Sequence, residues 1–133
     1  MRQFKYILLL ALTLINWCYA QPYKHKLKGT ASYYHNKFNN RKTSSGETFH
    51  NINYTAAHKT MPLGTWVIVT RLSNRLYVIV KVNDRLPPDS KRTIDLAQAA
   101  ARKLKMIERG LAKVKIEVIP RYSIKMIMPI SNN

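Results

Sequence analysis

Cysteine, glycine and acidic residues are all scarce in this 133-residue chain, which has one cysteine, four glycines and six acids. A single cysteine, Cys18, excludes an intramolecular disulfide and a zinc site built from several thiolates. The few glycines form no phosphate-binding loop of the Walker type. The fold must therefore be stabilised by its hydrophobic core, and any carboxylate chemistry must come from those six acids.

No apolar run in the sequence is long enough to cross a membrane. The run from Ile7 to Ile15 falls short of the roughly twenty residues that a bilayer core requires. It follows Arg2 and Lys5, and residues 18–20 end it with the small side chains of a cleavage site. We predict a signal peptide over residues 1–20, export to the periplasm or cell wall, and no transmembrane segment after cleavage. Lipid attachment at Cys18 is a less favoured alternative, because the preceding residue, Trp17, is bulky.

Positive charge dominates the rest of the composition. The chain has 23 basic residues against six acids, a net charge of +17, and loss of Arg2 and Lys5 with the signal peptide leaves +15. Such a field favours a polyanionic partner. Nucleic acid is the usual partner of basic proteins, but an exported protein seldom meets it. We therefore expect cell-wall polymer or an anionic lipid surface instead of nucleic acid, with solubility alone as the alternative.

The composition divides the remaining chain into three parts. Residues 21–28 are polar and basic and predict a linker, residues 29–120 carry the periodic segments of one domain, and residues 121–133 form a tail. The tail either adds an edge segment or stays loose. We expect one small domain and a monomer.

Four segments of the domain have strand character, and one has helical periodicity. The strands are predicted at 30–34, 66–72, 76–82 and 113–119, and the third is hydrophobic enough to predict burial on both faces. Residues 93–110 have a helical period, with Asp95 as N-cap and Gly110 at the end. The polar stretch 35–53 predicts a long ordered loop, where functional residues concentrate. This pattern indicates a mainly β fold, a small closed or half-closed barrel, with a two-layer α+β sandwich as the alternative.

Two of the six acids, Glu47 and Asp84, have no obvious structural role. Glu47 lies in the small-residue stretch SSGE of the long loop, and Asp84 directly follows the buried strand VIVKVND. Strand ends that lead into loops are places where a rigid scaffold presents chemistry. For Asp84 the alternative is a local pair with Arg85 or a turn cap. Helix capping, a proline-rich turn or solvent exposure explains the other four: Asp95, Asp89, Glu108 and Glu117.

The histidines and serines show no recognisable metal or nucleophile motif. The spacing of His35, His50 and His58 matches neither HExxH nor a Cys/His zinc pattern, so we predict no metal site and no cofactor. Ser44 and Ser45 lack the surroundings of a nucleophile elbow. His58, in YTAAHKTMPLGT, is a candidate site residue, with a half-buried structural histidine as the alternative.

Five motifs occur in order along the domain: GTASYY at 29–34, KTSSGETF at 42–49, YTAAHKTMPLGTWVIVTRL at 54–72, VIVKVNDRLP at 78–87 and RTIDLAQAAARKL at 92–104. Together they resemble the rare lipoprotein A family, the septal-ring lytic transglycosylases with a double-psi β-barrel. The resemblance covers about residues 29–119. It implies a six-stranded double-psi β-barrel over residues 29–120 with one or two short helices.

The resemblance also implies an activity and a site. Members of the family cleave peptidoglycan between N-acetylmuramic acid and N-acetylglucosamine, leave a 1,6-anhydro end, and favour glycan strands stripped of stem peptides. Matching the motifs residue by residue assigns the active-site acids to Glu47 and Asp84 and the histidine to His58. We expect Asp84 to be the acid/base, Glu47 its partner, and His58 a hydrogen-bond support. Five further residues are expected to contact substrate: Tyr33, Tyr34, Asn83, Arg85 and Asp95.

The sequence departs from the family pattern beside the expected acid. The family commonly reads NDRGPF, whereas this chain reads NDRLPP, so Leu86 replaces a glycine. A glycine there allows a positive φ angle or close approach to the sugar, and Leu86 is expected either to narrow the groove or to change the turn. Arg75 also replaces a frequent glycine. A wall-binding or wall-loosening barrel that does not cleave is therefore the alternative function.

Overall fold

The computed structural model describes residues 26–127. The predicted signal peptide and most of the predicted linker lie outside the described residues, as do the last six residues of the predicted tail. Within the described part, neither helix has the length or apolar composition needed to cross a bilayer.

Six β-strands close into one barrel in the order β1-β5-β2-β4-β3-β6. The pairs β1·β5 and β2·β4 are parallel, and the other four pairs are antiparallel. The closed barrel confirms the predicted fold class, and the two-layer sandwich is wrong. The strands are β1 (Lys26–Tyr33), β2 (Thr55–His58), β3 (Trp66–Arg71), β4 (Tyr77–Asp84), β5 (Ile94–Leu96) and β6 (Ala112–Val118).

The core lies inside the barrel and is formed mostly by β-branched and small side chains. Along β3 and β4, buried residues alternate with partly exposed ones, as a strand with one core-facing side requires. The prediction that the second strand of this hairpin is buried on both faces is therefore wrong for most of β4. Its outer face is partly covered by a C-terminal helix, α2 (Arg121–Ile127), which packs near Trp66 and Ile79. The predicted tail thus begins as a helix.

The segment predicted as one long helix contains a strand and a short helix. Residues Ile94–Leu96 form β5 between β1 and β2, and helix α1 spans only Gln98–Lys103. Asp95 is therefore a strand residue and not a helix cap, because closing the barrel pairs its backbone on both sides. Asn51 caps α1 instead, since its Oδ1 accepts from the backbone N–H of Gln98 at 3.0 Å.

The domain begins earlier than the sequence predicted. Strand β1 starts at Lys26, so residues 26–28 belong to the barrel and not to the linker. The reason is pairing with β6, which reaches Lys26 opposite Glu117. The two side chains form an ion pair with a 3.1 Å distance between Nζ and Oε1.

Gly29 of β1 lies against Thr93, the residue before β5, and leaves no room for a side chain. A Cβ atom added there would lie 2.0 Å from Thr93 Oγ1 and 2.5 Å from Thr93 Cβ. We expect Gly29→Ala to lower the free energy of unfolding by about 1–3 kcal/mol, because the packed barrel must shift to admit the methyl group. Urea denaturation measures this. Lys28→Ala, at the exposed neighbouring position, is the control and should change stability by less than about 0.5 kcal/mol. Equal stabilities of the two variants would contradict the close approach.

Candidate active site

A cleft of about 620 Å³ opens beside the ends of β1 and β4. It is lined by five of the eight residues predicted for the site: Tyr33, Tyr34, Asp84, Arg85 and Asp95. The other three, Glu47, His58 and Asn83, lie outside its lining. The structure therefore brings five of the predicted residues together in one cleft, and the roles of all eight stay predictions.

Asp84 ends strand β4 next to a β-bulge. Ala56 of β2 pairs with Val82 and Ala57 pairs with Asp84, so Asn83 is the extra residue on β4. A bulge interrupts the alternation of a strand and re-aims the side chains that follow. Asn83 is buried as a result, and Asp84 lies half-buried in the wall of the cleft.

The two oxygens of Asp84 have very different surroundings. Oδ1 accepts three hydrogen bonds: from the backbone N–H of Ser44 at 2.9 Å, from Ser44 Oγ at 2.8 Å and from the backbone N–H of Arg85 at 2.8 Å. Oδ2 accepts one, from the Tyr34 hydroxyl at 2.7 Å. Oδ1 is thus saturated with donors, and Oδ2 is the oxygen that retains room for a proton or a ligand.

These donors determine the charge of Asp84. Burial on its own would raise the pKa of Asp84, but the hydrogen bonds from Tyr34, Ser44 and Arg85 stabilise the carboxylate and lower the pKa below its ordinary value. Asp84 is therefore ionised at neutral pH in the free protein.

Tyr34 is held in place by aromatic packing. Its ring lies 4.4 Å from that of Phe49 and 5.7 Å, edge to face, from that of Phe38, measured between centroids. Burial and the hydrogen bond to Asp84 raise the pKa of Tyr34 far above its ordinary value, so the hydroxyl remains a donor. Tyr34 was predicted as a sugar contact; its hydroxyl is engaged with the carboxylate instead.

Tyr33 also lines the cleft but has a different partner. Its hydroxyl donates to the backbone carbonyl of Ile107 at 2.8 Å, in the turn after α1. The two neighbouring tyrosines therefore share the cleft, and only Tyr34 contacts Asp84.

Glu47 lies beside the bulge and not in the cleft. Its carboxylate forms an ion pair with Lys81 at 2.8 Å and accepts from Asn83 Nδ2 at 3.3 Å. The hydrogen-bonded pair with Lys81 lowers the pKa of Glu47, with a smaller contribution from Asn83, and burial does not offset it. The side chain remains 45% exposed. Glu47 thus connects the long loop to strand β4 at Lys81, before the bulge, and at Asn83, the extra residue of the bulge.

His58 is buried, with 7% of its surface exposed, and its side chain bonds to the turn that follows it. Its Nδ1 accepts from the backbone N–H groups of Thr60 and Met61, both at 3.1 Å, which leaves the proton on Nε2. Burial, followed by the charges of Arg85 and Lys59, lowers the pKa of His58, so the ring is neutral at pH 7. Its carbonyl accepts from Arg85 Nη1 at 3.2 Å, which joins the turn to the residue after Asp84.

Asp95 lines the cleft in a closed set of polar contacts. Its Oδ1 accepts from Ser32 Oγ at 2.9 Å, and Arg92 binds both carboxylate oxygens, at 2.9 Å through Nε and 3.0 Å through Nη2. Oδ1 of Asp95 thus has two donors and Oδ2 has one, so Oδ2 retains room for a further donor. Arg92 was missed by sequence reasoning, although it lies only three residues before Asp95 in the segment RTID.

Ser44 is the other residue that sequence reasoning missed. It was considered only as a nucleophile, whereas both its N–H and its hydroxyl bind Asp84. The bend is closed by Gly46, whose N–H donates to the carbonyl of Thr43 at 2.9 Å with φ of 85°. The serine-glycine bend therefore serves Asp84 more directly than Glu47.

Leu86 keeps an ordinary backbone conformation beside Asp84. It is buried, it lines the cleft, and its φ is not positive. In this chain the turn therefore does not require a glycine at position 86. Arg75, in contrast, has φ of 59°, the left-handed conformation that a glycine adopts freely.

Five cations line the cleft against two acids. Lys37 and Arg41 lie over the ring of Phe38, at 5.3 and 5.6 Å from its centroid. The other three are Lys42, Arg85 and Arg92. Among residues 26–127, no three histidine, cysteine or acidic side chains lie close enough to hold a metal ion.

Comparison with known proteins gives a consistent family. The family model described as "Lytic transglycolase" matches residues 26–116. The chain is 49% identical over 92 residues to the endolytic peptidoglycan transglycosylase RlpA of Haemophilus influenzae, covering 69% of this chain and 32% of that protein. It is 52% identical over 95 residues to the protein of that name from Pseudomonas aeruginosa, covering 71% and 28%. The chain thus spans about a third of the length of these curated relatives.

Solved structures similar to the barrel have low sequence identity. The Streptomyces papain inhibitor has a TM-score of 0.60 and 24% identity, covering 74% of this chain and 98% of that one. A mutant expansin of Clavibacter michiganensis in complex with cellohexaose has a TM-score of 0.58 and 17% identity, covering 71% and 50%. These likenesses show the fold alone, which is the predicted double-psi β-barrel. Because the family model matches well over half of the chain, and the curated relatives share about half of their aligned residues with it, the chain belongs to the lytic transglycolase family.

Proposed function

We propose that this protein is an exported lytic transglycosylase of peptidoglycan. It cleaves the bond between N-acetylmuramic acid and N-acetylglucosamine and leaves a 1,6-anhydro end, with peptide-stripped glycan strands as substrate. The named activity of the curated relatives supports the reaction, and the cationic lining of the cleft supports an anionic polymer. Export through the predicted signal peptide, and action as a monomer, are parts of the same proposal.

The observation that carries the proposal is the asymmetric environment of Asp84. Lytic cleavage requires one carboxyl group that first gives a proton to the glycosidic oxygen and then accepts one from the C6 hydroxyl. Oδ1 of Asp84 is fixed by three donors, whereas Oδ2 has only the Tyr34 hydroxyl. Oδ2 is therefore the atom that exchanges the proton, and the bonds to Oδ1 fix the orientation of the carboxyl group.

Asp84 must take up a proton from solvent before it can act as an acid. The low pKa of Asp84 in the free protein leaves little of the acid form at neutral pH. A sugar bound in the cleft removes water from the carboxyl group and raises its pKa, since burial is already the main effect acting in that direction. Binding of the glycan strand and protonation of Asp84 are therefore coupled.

The reaction then needs no water. The proton of Asp84 passes to the glycosidic oxygen, the bond from that oxygen to C1 breaks, and positive charge develops at C1 and the ring oxygen. The Asp84 carboxylate takes the proton of the C6 hydroxyl while that oxygen bonds to C1. The products are a 1,6-anhydro sugar and a free hydroxyl on the leaving sugar, and Asp84 is protonated again.

Glu47 and His58 have positioning roles in this mechanism. Glu47 binds Asn83, the extra residue of the bulge that directs Asp84, and Lys81, which precedes the bulge. His58 holds Arg85 through its carbonyl, and Arg85 donates its N–H to Asp84. Both residues act on the strand end that carries the acid, and neither needs to touch the sugar.

A binding module that does not cleave is the second candidate. It is favoured by the low pKa of Asp84 and by the likeness to an expansin whose structure holds cellohexaose. Incubation of the purified protein with stripped and intact sacculi separates the two. Anhydro-ended fragments in the soluble products support the enzyme, whereas pelleting of the protein with sacculi and no released fragment supports the binder.

Asp84→Asn should abolish release of anhydro-muropeptides, by at least about a hundredfold, because the amide neither gives nor takes the required proton. Mass spectrometry of products released from stripped sacculi measures this. The amide has the shape of the carboxyl group, so circular dichroism should show an unchanged folded fraction. Asp89→Asn, at an exposed turn outside the cleft, is the matched control and should retain activity. Wild-type product from Asp84→Asn would remove Asp84 from the mechanism.

Tyr34→Phe should move the pH dependence of kcat/KM to more alkaline pH. The acid form of Asp84 is active, so activity falls as pH rises through its pKa. Loss of the Tyr34 hydrogen bond raises the pKa of Asp84, because that bond stabilises the carboxylate, and the fall in activity then occurs at higher pH. Tyr33→Phe is the matched control, because it removes a hydroxyl from the same cleft that binds Ile107 instead. Identical pH profiles for Tyr34→Phe and Tyr33→Phe would contradict this role.

A further inference from the structure

A second, smaller cavity shares one lining residue, Arg92, with the cleft. This side cavity has a volume of about 480 Å³ and is lined by Thr30, Lys91, Arg92, Leu111, Ala112 and Lys113. Arg92 also lines the cleft, so one side chain forms the boundary between the two. Both volumes fall in the range of roughly 300–1,000 Å³ that small-molecule sites occupy.

The side cavity is cationic and has no acid in its lining. Lys91, Arg92 and Lys113 contribute positive charge. Arg92 is paired with Asp95, but that carboxylate faces the cleft. Lys113 Nζ is anchored by Thr30 Oγ1 at 2.9 Å and has no carboxylate partner. An anion is therefore the ligand that this lining fits.

The apolar part of the lining suits a sugar ring. Leu111 is 54% exposed at the start of β6, beside the buried Ala112. The stems of the two lysines add further apolar surface. A sugar unit that carries a carboxylate matches both features, because its ring packs on Leu111 while its charge meets the ammonium groups.

The cationic surface continues beyond the side cavity along the outer face of β1 and β6. Thr30 lies opposite Lys113, and the next outward-facing pair is Lys28 opposite Lys115. Glu117 already pairs with Lys115, at 2.9 Å between Oε2 and Nζ, so Lys28 is the residue of this pair that extends the positive charge beyond the side cavity. Charge at two separate places along one face fits an extended anionic chain more closely than a single small anion.

We propose that the side cavity is a second sugar-binding subsite, which holds the carboxylate of a unit further along the same glycan strand whose scissile bond lies in the cleft. The inference rests on the proposed function, because it takes the strand in the cleft to be peptidoglycan. N-acetylmuramic acid has a free lactyl carboxylate only where the stem peptide has been removed, so the subsite binds stripped units. Lys91 and Lys113 are its specificity-determining residues.

The experiment measures binding of stripped glycan oligosaccharides of increasing length by calorimetry. Asp84→Asn protein is used throughout, so that nothing is cleaved. The test variant adds Lys91→Gln and Lys113→Gln. The matched control adds Lys103→Gln and Lys125→Gln, which remove the same charge from exposed positions that line neither cavity.

We expect the test variant to bind long oligosaccharides about tenfold more weakly than the parent, because two exposed charge contacts are lost. Binding of the shortest oligosaccharides, which fill only the cleft, should not change, and the control should bind like the parent. Amidation of the strand carboxylates should abolish the difference between the test variant and the parent.

Three results would overturn the proposal. An equal loss in the control would assign the effect to net charge. A loss of the same size for the shortest oligosaccharides would place the two lysines in the cleft. Tighter binding of a phosphate polymer, dependent on Lys91 and Lys113, would assign the cavity to another polyanion. Failure of the proposed function is measured separately, as absence of cleavage by the protein that retains Asp84. Length-dependent binding would still be observed in that case, so the two failures are distinguishable.

Discussion

The site depends on one oxygen atom, Asp84 Oδ1, and the three hydrogen bonds that it accepts. Two of them come from Ser44, forty residues earlier in the chain, and the third from the neighbouring backbone. They tie the long polar loop to the end of β4, beside the bonds that Ser45 and Glu47 make to the same strand. Without an acceptor at position 84, the N–H and hydroxyl of Ser44 lose the partner that the barrel gives them. The same hydrogen bonds from Ser44 therefore help to order the loop and to keep Asp84 ionised.

Sequence reasoning located the barrel well because hydrophobic period is a local property. The hairpin of β3 and β4 and the strand β6 were all predicted within one or two residues. It failed at Asp95, where IDLAQ reads equally well as a capped helix start and as a strand. Closure of the barrel makes this segment a strand, because β5 obtains hydrogen bonds on both edges, from β1 and from β2. The true cap, Asn51, lies 47 residues before Gln98, and no local pattern predicts such a contact.

The candidate site was predicted as a set of residue types, and the structure separates these residues by role. Resemblance named Glu47, His58 and Asp84 together, yet only Asp84 lines the cleft. The bulge at Asn83 explains the division, because an extra residue on β4 changes which side chains face the cleft, and a bulge leaves no trace in hydrophobic alternation. The roles of these residues in the reaction stay predictions.

Acid catalysis requires a protonated Asp84, whereas the surroundings of Asp84 in the free protein favour its charged form. Binding of the proposed substrate changes those surroundings. Cations that attract an anionic strand, together with the donors around Asp84, keep the carboxyl group ionised. A bound strand reverses both effects: its carboxylates offset the cations of the cleft, and its sugar rings exclude water from Asp84. Each change raises the pKa of Asp84, so the acid form becomes available only when a strand is bound. In the proposed reaction, a low pKa in the free protein is therefore compatible with acid catalysis, because substrate binding supplies the missing shift.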